Sequence, residues 1–119
     1  MKRSYMLIVL LVCVAGLVFG SENGGREKGK ASYYAKMFEG RKTANGEIFS
    51  NNELTAAHKE LPMGTMVRVT NLANGKTIDV RINDRGPFIS GRIIDLTEKA
   101  FDKIADRKSG VVNVTVQIL

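Results

Sequence analysis

Residues 77–88 read TIDVRINDRGPF. Up to Ile82 the apolar residues alternate: Ile78, Val80 and Ile82 share one face of a strand, and Asp79 and Arg81 share the other. Counting on by two lands on Asp84, so a carboxylate takes the phase of the core just before a Gly-Pro turn. An acid in that phase is expected to be partly desolvated, which raises a carboxyl pKa. A carboxyl that keeps its proton near neutrality can hand it to a leaving oxygen. Aspartate is also common in turns, so capping Arg85-Gly86-Pro87 or pairing with Arg85 is the alternative role.

The strand before it reads the same way. Met66–Leu72 alternates at Val67 and Val69, and Asn74-Gly75 supplies the positive-φ pair of a tight hairpin leading into Thr77–Asn83. Further short strands are predicted at Ala31–Ala35, Leu54–His58, Arg92–Leu96 and Val112–Ile118. In the last of these Val112, Val114, Val116 and Ile118 fall in phase. Thr97 is placed to cap a short helix whose apolar face is Ala100, Phe101, Ile104 and Ala105. Leu61-Pro-Met-Gly64 is a turn, and residues 40–52 form a long polar loop. The expected class is mainly β, with six short strands and one or two short helices. A closed barrel is the natural solution, because closure removes exposed strand edges.

The chain has 119 residues, enough for one domain. Residues 1–20 read as a secretory signal peptide: Lys2 and Arg3, an apolar run from Met6 to Phe19, then a cut after Gly20. The run falls short of the ~20 apolar residues that span a bilayer comfortably. The sole cysteine, Cys13, follows Val12, where a lipoprotein signal needs a small residue. The segment therefore argues for export to the periplasm or cell envelope rather than a lipid anchor, with membrane attachment only if it is retained or lipidated. Residues 21–28 belong to a Gly- and charge-rich stretch with no apolar side chain and read as a flexible linker. The folded domain is expected over 29–119, as a monomer.

Charge and composition exclude several functions. The net charge of +6 falls to +4 without the leader, which suits an anionic wall surface. No basic run with interleaved aromatics supports nucleic-acid binding. With one histidine and no cysteine outside the leader, a protein-built metal site is not expected, and no cofactor motif is present. NGGREKG lacks phosphate-loop spacing, and no serine sits in a G-x-S-x-G elbow.

Few residues remain to carry chemistry. His58, the only histidine, ends a short apolar strand and is either structural or catalytic. Asp95 in RIIDLT is a second acid beside apolar neighbours, or a helix-entry residue next to Thr97. Glu47 lies in the polar loop TANGE. Tyr33 and Tyr34 are adjacent, so one is expected to pack and the other to be free to stack on a sugar ring.

Several blocks together resemble the rare lipoprotein A (RlpA) family: GKASYYA, FEGRKTANGE, TAAHKELPMGTMVRVTNLANGK, VRINDRGPF and RIIDLTEKAF. They occur in the family's order and spacing across nearly all of residues 29–119. The resemblance implies a six-stranded double-psi β-barrel, a fold shared with the first domain of expansins. It also implies lytic cleavage of peptidoglycan glycan strands, with preference for strands stripped of stem peptides. The family's catalytic aspartate falls on Asp84 and its essential histidine on His58, which would orient Asp84 by a hydrogen bond or steady the developing positive charge through its local dipole. Ser32, Tyr34 and Asp95 fall near groove-lining positions, and Thr43, Asn45, Glu47 and Arg85 join them as candidate substrate contacts. Many members carry a lipobox and a C-terminal glycan-binding domain. The sequence closes at Leu119 directly after the last strand, so that domain is not expected, and Val12 before Cys13 argues against the lipobox. The alternative is an expansin-like module that binds the wall without cutting it.

Overall fold

The computed structural model describes residues 25–119. The predicted signal peptide, Cys13 and residues 21–24 lie outside the described residues. Six strands close into one barrel: β1 (Arg26–Tyr33), β2 (Thr55–His58), β3 (Met66–Asn71), β4 (Thr77–Asp84), β5 (Arg92–Leu96) and β6 (Val112–Ile118). Their order around the barrel is β1-β5-β2-β4-β3-β6. The β1–β5 and β2–β4 pairs are parallel and the other four are antiparallel. A short helix, α1 (Glu98–Asp102), and 3-10 turns at Lys36–Phe38 and Arg107–Ser109 fill the connections. The chain is thus mainly β, the six-stranded double-psi barrel that the resemblance implies.

The alternating residues build the core. Val67, Val69, Val80, Ile82, Ile94, Leu96, Val114 and Val116 are all fully buried. Cross-strand partners such as Val67 and Val80, or Val69 and Val116, face the same interior. Burying each such side chain is worth about 1.5–3 kcal/mol. Thr97 caps α1 as its sequence position requires: its Oγ1 accepts from the Ala100 N–H at 3.2 Å and donates to the Glu53 carbonyl at 2.5 Å. Phe101 and Ile104 then close one end of the core.

Three local features depart from the sequence pattern. The first strand starts at Arg26, so residues 26–28, expected as linker, are paired with β6 at Gln117, Val116 and Thr115. Arg26-Glu27-Lys28 has no apolar residue to mark it as strand, and its partner is over eighty residues away. Second, Asn74-Gly75 sits within the connection 72–76 rather than forming a two-residue turn. The Gly75 N–H bonds the Asn71 carbonyl at 2.8 Å, and the Asn71 and Asn74 amides both donate to the Ile104 carbonyl.

The third departure sets the site. β2 pairs with β4 as Thr55–Arg81 and Ala56–Ile82, and then as Ala57–Asp84, passing over Asn83. Two residues of β4 thus face one of β2, which is a bulge. Ala56 belongs to the barrel core, whereas Ala57 belongs to a separate small cluster with Tyr34 and Phe49. Asp84 therefore emerges beside Ala57, in an outer groove, and not in the core phase that counting by two predicts.

Candidate active site

One register row crosses four adjacent strands. Ser32 on β1 pairs with Asp95 on β5, Asp95 with Ala57 on β2, and Ala57 with Asp84 on β4. These four residues form the floor of a groove of about 390 Å³. Tyr34 and Phe38 line it on one side, and Arg85, Gly86, Pro87 and Phe88 on another. With neighbouring strands about 4.8 Å apart, the Asp84 and Asp95 backbones stand about 10 Å from each other.

Asp84 is half-buried and held by donors rather than by apolar surface. Its Oδ1 accepts the backbone N–H groups of Ala44 at 2.8 Å and Arg85 at 2.9 Å. Its Oδ2 accepts the Tyr34 hydroxyl at 2.5 Å. A carboxylate offers about four lone-pair sites, so these three bonds leave one, on Oδ2, for a ligand.

Tyr34 is the buried tyrosine of the pair. Its ring stacks on Phe49 with centroids 4.2 Å apart and meets Phe38 edge-on at 5.8 Å. Burial pushes its hydroxyl pKa far up, and the Asp84 hydrogen bond and the negative charges of Asp84 and Asp95 push it further. The hydroxyl is therefore a fixed donor. Tyr33, on the opposite face, packs against Phe101 at 4.8 Å and donates to the Arg107 carbonyl. Each tyrosine ring is thus packed against a phenylalanine. The exposed aromatic in the groove is Phe88, with 79% of its surface accessible, and Phe38 is partly exposed. Sequence reasoning passed over both. The signal available for Phe88 was a large apolar side chain directly after Gly-Pro, where a turn holds it out of the core.

The TANGE loop supports Asp84 from behind. Asn45 Oδ1 accepts the Thr43 hydroxyl at 2.7 Å and the Glu47 N–H at 3.0 Å. The Thr43 N–H bonds the Glu47 carbonyl, and the Asn45 N–H bonds the Asn83 carbonyl at the bulge. These bonds fix the turn that aims the Ala44 N–H at Asp84. Glu47 turns away to Arg81, with bonds of 2.8 and 3.0 Å, and to Asn83 Nδ2 at 3.0 Å. Those partners hold its carboxyl pKa down at about 2, the Arg81 bonds foremost. Thr43, Asn45 and Glu47 are thus brought to the acid's support and are not among the groove-lining residues.

The remaining candidates divide. Asp95 lies on the floor, gripped by Arg92 Nη2 at 2.6 and 2.7 Å. Ser32 lines the floor and donates to the Gly110 carbonyl at 2.8 Å. Arg85 lines the groove and donates from Nη1 to the His58 carbonyl at 3.2 Å. His58 itself is buried. Its Nε2 lies 2.8 Å from Glu27 Oε1, and its Nδ1 accepts the N–H groups of Glu60 and Leu61. Tyr34 is a side-chain donor to Asp84. Among the described residues, no group of three or more His, Cys, Asp or Glu side chains could hold a metal ion.

Comparison with known proteins places this groove in a family. The sequence profile described as "Lytic transglycolase" matches residues 26–116. The chain is 57% identical over 91 residues to the probable endolytic peptidoglycan transglycosylase RlpA of Synechocystis sp., covering 76% of this chain and 28% of that one. It is 48% identical over 102 residues to the endolytic peptidoglycan transglycosylase RlpA of Vibrio cholerae, covering 86% and 39%. The chain therefore spans well under half the length of these curated relatives. Among solved structures, the Streptomyces papain inhibitor superposes with a TM-score of 0.66 at 28% identity, over 81% of this chain and 96% of that one. That protein is named an inhibitor, so the barrel alone does not fix a function. The match across residues 26–116 does fix the lineage: the chain belongs to the lytic transglycolase family of double-psi β-barrel domains.

Proposed function

We propose that this barrel is an endolytic peptidoglycan transglycosylase domain, exported to the cell envelope, that cleaves glycan strands with preference for those stripped of stem peptides. The observation that carries the reading is the state of Asp84. It lines an open groove, three donors fix both of its oxygens, and one lone-pair site on Oδ2 remains for substrate. The identity with named transglycosylases over the same residues supports it.

A single carboxyl suffices for this reaction. Protonated Oδ2 gives its proton to the glycosidic oxygen as the C–O bond breaks. The resulting carboxylate takes the proton of the muramic acid 6-hydroxyl, whose oxygen closes on C1 to form the anhydro ring. The acid ends as it began, and no water is consumed. Glycoside hydrolysis commonly needs a second, free carboxylate to activate water. Here Asp95 is committed to Arg92 and Glu47 to Arg81.

The test is digestion of intact and amidase-stripped peptidoglycan by the chain from Ser21 and by Asp84→Asn, read by mass spectrometry. Anhydromuramic ends from the wild type, lost in Asp84→Asn, are the expected result. Binding without cleavage would move the protein to the expansin-like class. Ordinary reducing ends would mean that water attacks.

A further inference from the structure

His58 and Glu27 form a second cluster, turned away from the groove floor. On β2 the register with β5 pairs Ala56 with Leu96 and His58 with Ile94, two fully buried residues. Cross-strand partners point to the same side of a sheet, so His58 faces the barrel interior while its neighbour Ala57 faces the groove. Glu27 pairs with the buried Val116 and faces the interior as well. The two side chains meet at one end of the barrel, where the imidazole is almost wholly buried and the carboxylate partly so.

The hydrogen bonds settle which nitrogen carries the proton. Nδ1 accepts two backbone N–H groups, from Glu60 at 3.0 Å and Leu61 at 3.1 Å. A nitrogen that accepts has no hydrogen of its own, so the ring is neutral with its proton on Nε2. Nε2–H then donates to Glu27 Oε1 at 2.8 Å. Adding a proton at Nδ1 would set three N–H groups against each other and open the 58–61 turn. Removing the one on Nε2 would leave an imidazolate beside a carboxylate.

We infer that His58 is a positioning residue, a neutral imidazole clasp joining β1 to the turn after β2, and takes no part in proton transfer with Asp84. It acts through the backbone. The clasp fixes the end of β2, and there the His58 carbonyl receives Arg85 Nη1 at 3.2 Å, one residue beyond Asp84. The link to turnover rests on the proposed function, but the tautomer and the clasp do not.

The imidazole needs both ends, and two substitutions separate them. Asn places Oδ1 where Nδ1 stands and keeps the turn's acceptor. Gln places Nε2 near the ring's Nε2 and keeps only the donor to Glu27. The protein has one histidine, so 15N-detected NMR at pH 7 reports this ring alone. The expected spectrum is a neutral Nε2–H tautomer, with exchange-protected Glu60 and Leu61 amides. Protection should persist in His58→Asn and fall in His58→Gln. An Nδ1–H or doubly protonated ring would overturn the inference, even if the protein cleaves no glycan. In the cleavage assay, His58→Asn should stay within about tenfold of wild-type kcat with the same pH–rate profile. A loss of a thousandfold, within the 10²–10⁴ range of general acid–base catalysis, or a vanished limb of the pH profile, would make His58 a proton-transfer residue.

Discussion

Tyr34, the residue after β1, and Asp84, the last of β4, are joined by a 2.5 Å hydrogen bond across the groove floor. Neither the bond nor the groove exists until β5 and β2 have been laid between those strands. The bond defines the acid. It fixes the carboxyl plane and leaves one lone pair of Oδ2 open to the groove, where the proposed function places the substrate.

Removing the hydroxyl should therefore damage turnover more than binding. A hydrogen bond to a charged group is worth about 1.5–3 kcal/mol, so Tyr34→Phe is expected to lower kcat by about tenfold to a hundredfold. KM should hold within about twofold, because the ring still packs on Phe49. Steady-state assay of anhydromuramyl products separates the two parameters. A Tyr34→Phe enzyme with wild-type kcat would show that Ala44 and Arg85 alone position the acid.

Much of this barrel was legible because its signals are local. The valines of 112–118 and 66–70 alternate, Thr97 precedes a short apolar face, and Gly64 and Gly75 take positive φ where turns were expected. Asp84 was found for a reason that the structure revises. Counting by two put it in the core, and the bulge at Asn83, which depends on how β2 docks, turns it into the groove. For the aromatics, adjacency shows only that Tyr33 and Tyr34 diverge. It does not show that Asp84 waits for one and Phe101 for the other. Glu27 falls in the stretch that reads as linker for a similar reason, since its partner His58 is distant in sequence.

Phe88 offers the groove's exposed apolar ring, so it should contribute to binding. A stacking contact is worth about 0.5–1.5 kcal/mol, which predicts a rise in KM of up to about tenfold for Phe88→Ala at nearly constant kcat. Its side chain is mostly outside the core, so the thermal midpoint should barely move. An unchanged KM with glycan strands of several disaccharides would remove Phe88 from the binding surface.

Glu47 links acid stability to the TANGE loop. Its carboxyl pKa falls from the ordinary 4.5 to about 2 in the folded chain, chiefly through its bonds to Arg81. A lowered folded-state pKa means that the unfolded chain binds more protons between those values. The stabilisation is fully present above pH 4.5 and is lost as pH falls from about 4.5 to about 2. The pair is partly exposed, so screening limits its worth to about 1 kcal/mol. Urea melts of Glu47→Gln should show a shallower loss of stability over that window than the wild type. Parallel curves would mean that the pair is already broken in solution.

Gly29 should tolerate no side chain, although its backbone is ordinary. A Cβ there would lie 2.6 Å from Ile93 Cγ2 and 3.1 Å from Cγ1 and Cδ1. Ile93 is the residue passed over where β1 and β5 shift register between Lys30–Arg92 and Ala31–Ile94. Its side chain packs over Gly29 and against the core. Cγ2 is fixed by the β-branch and cannot swing aside as a flexible tip would. Gly29→Ala is therefore expected to destabilise by about 1–3 kcal/mol through overpacking. Ile93→Ala removes the clashing carbons at its own cost in burial. The double variant should then be more stable than the sum of the two single losses predicts, by about 1 kcal/mol or more. Denaturant melts of the four proteins measure that coupling. Strict additivity would show that the loss in Gly29→Ala arises elsewhere than at Ile93.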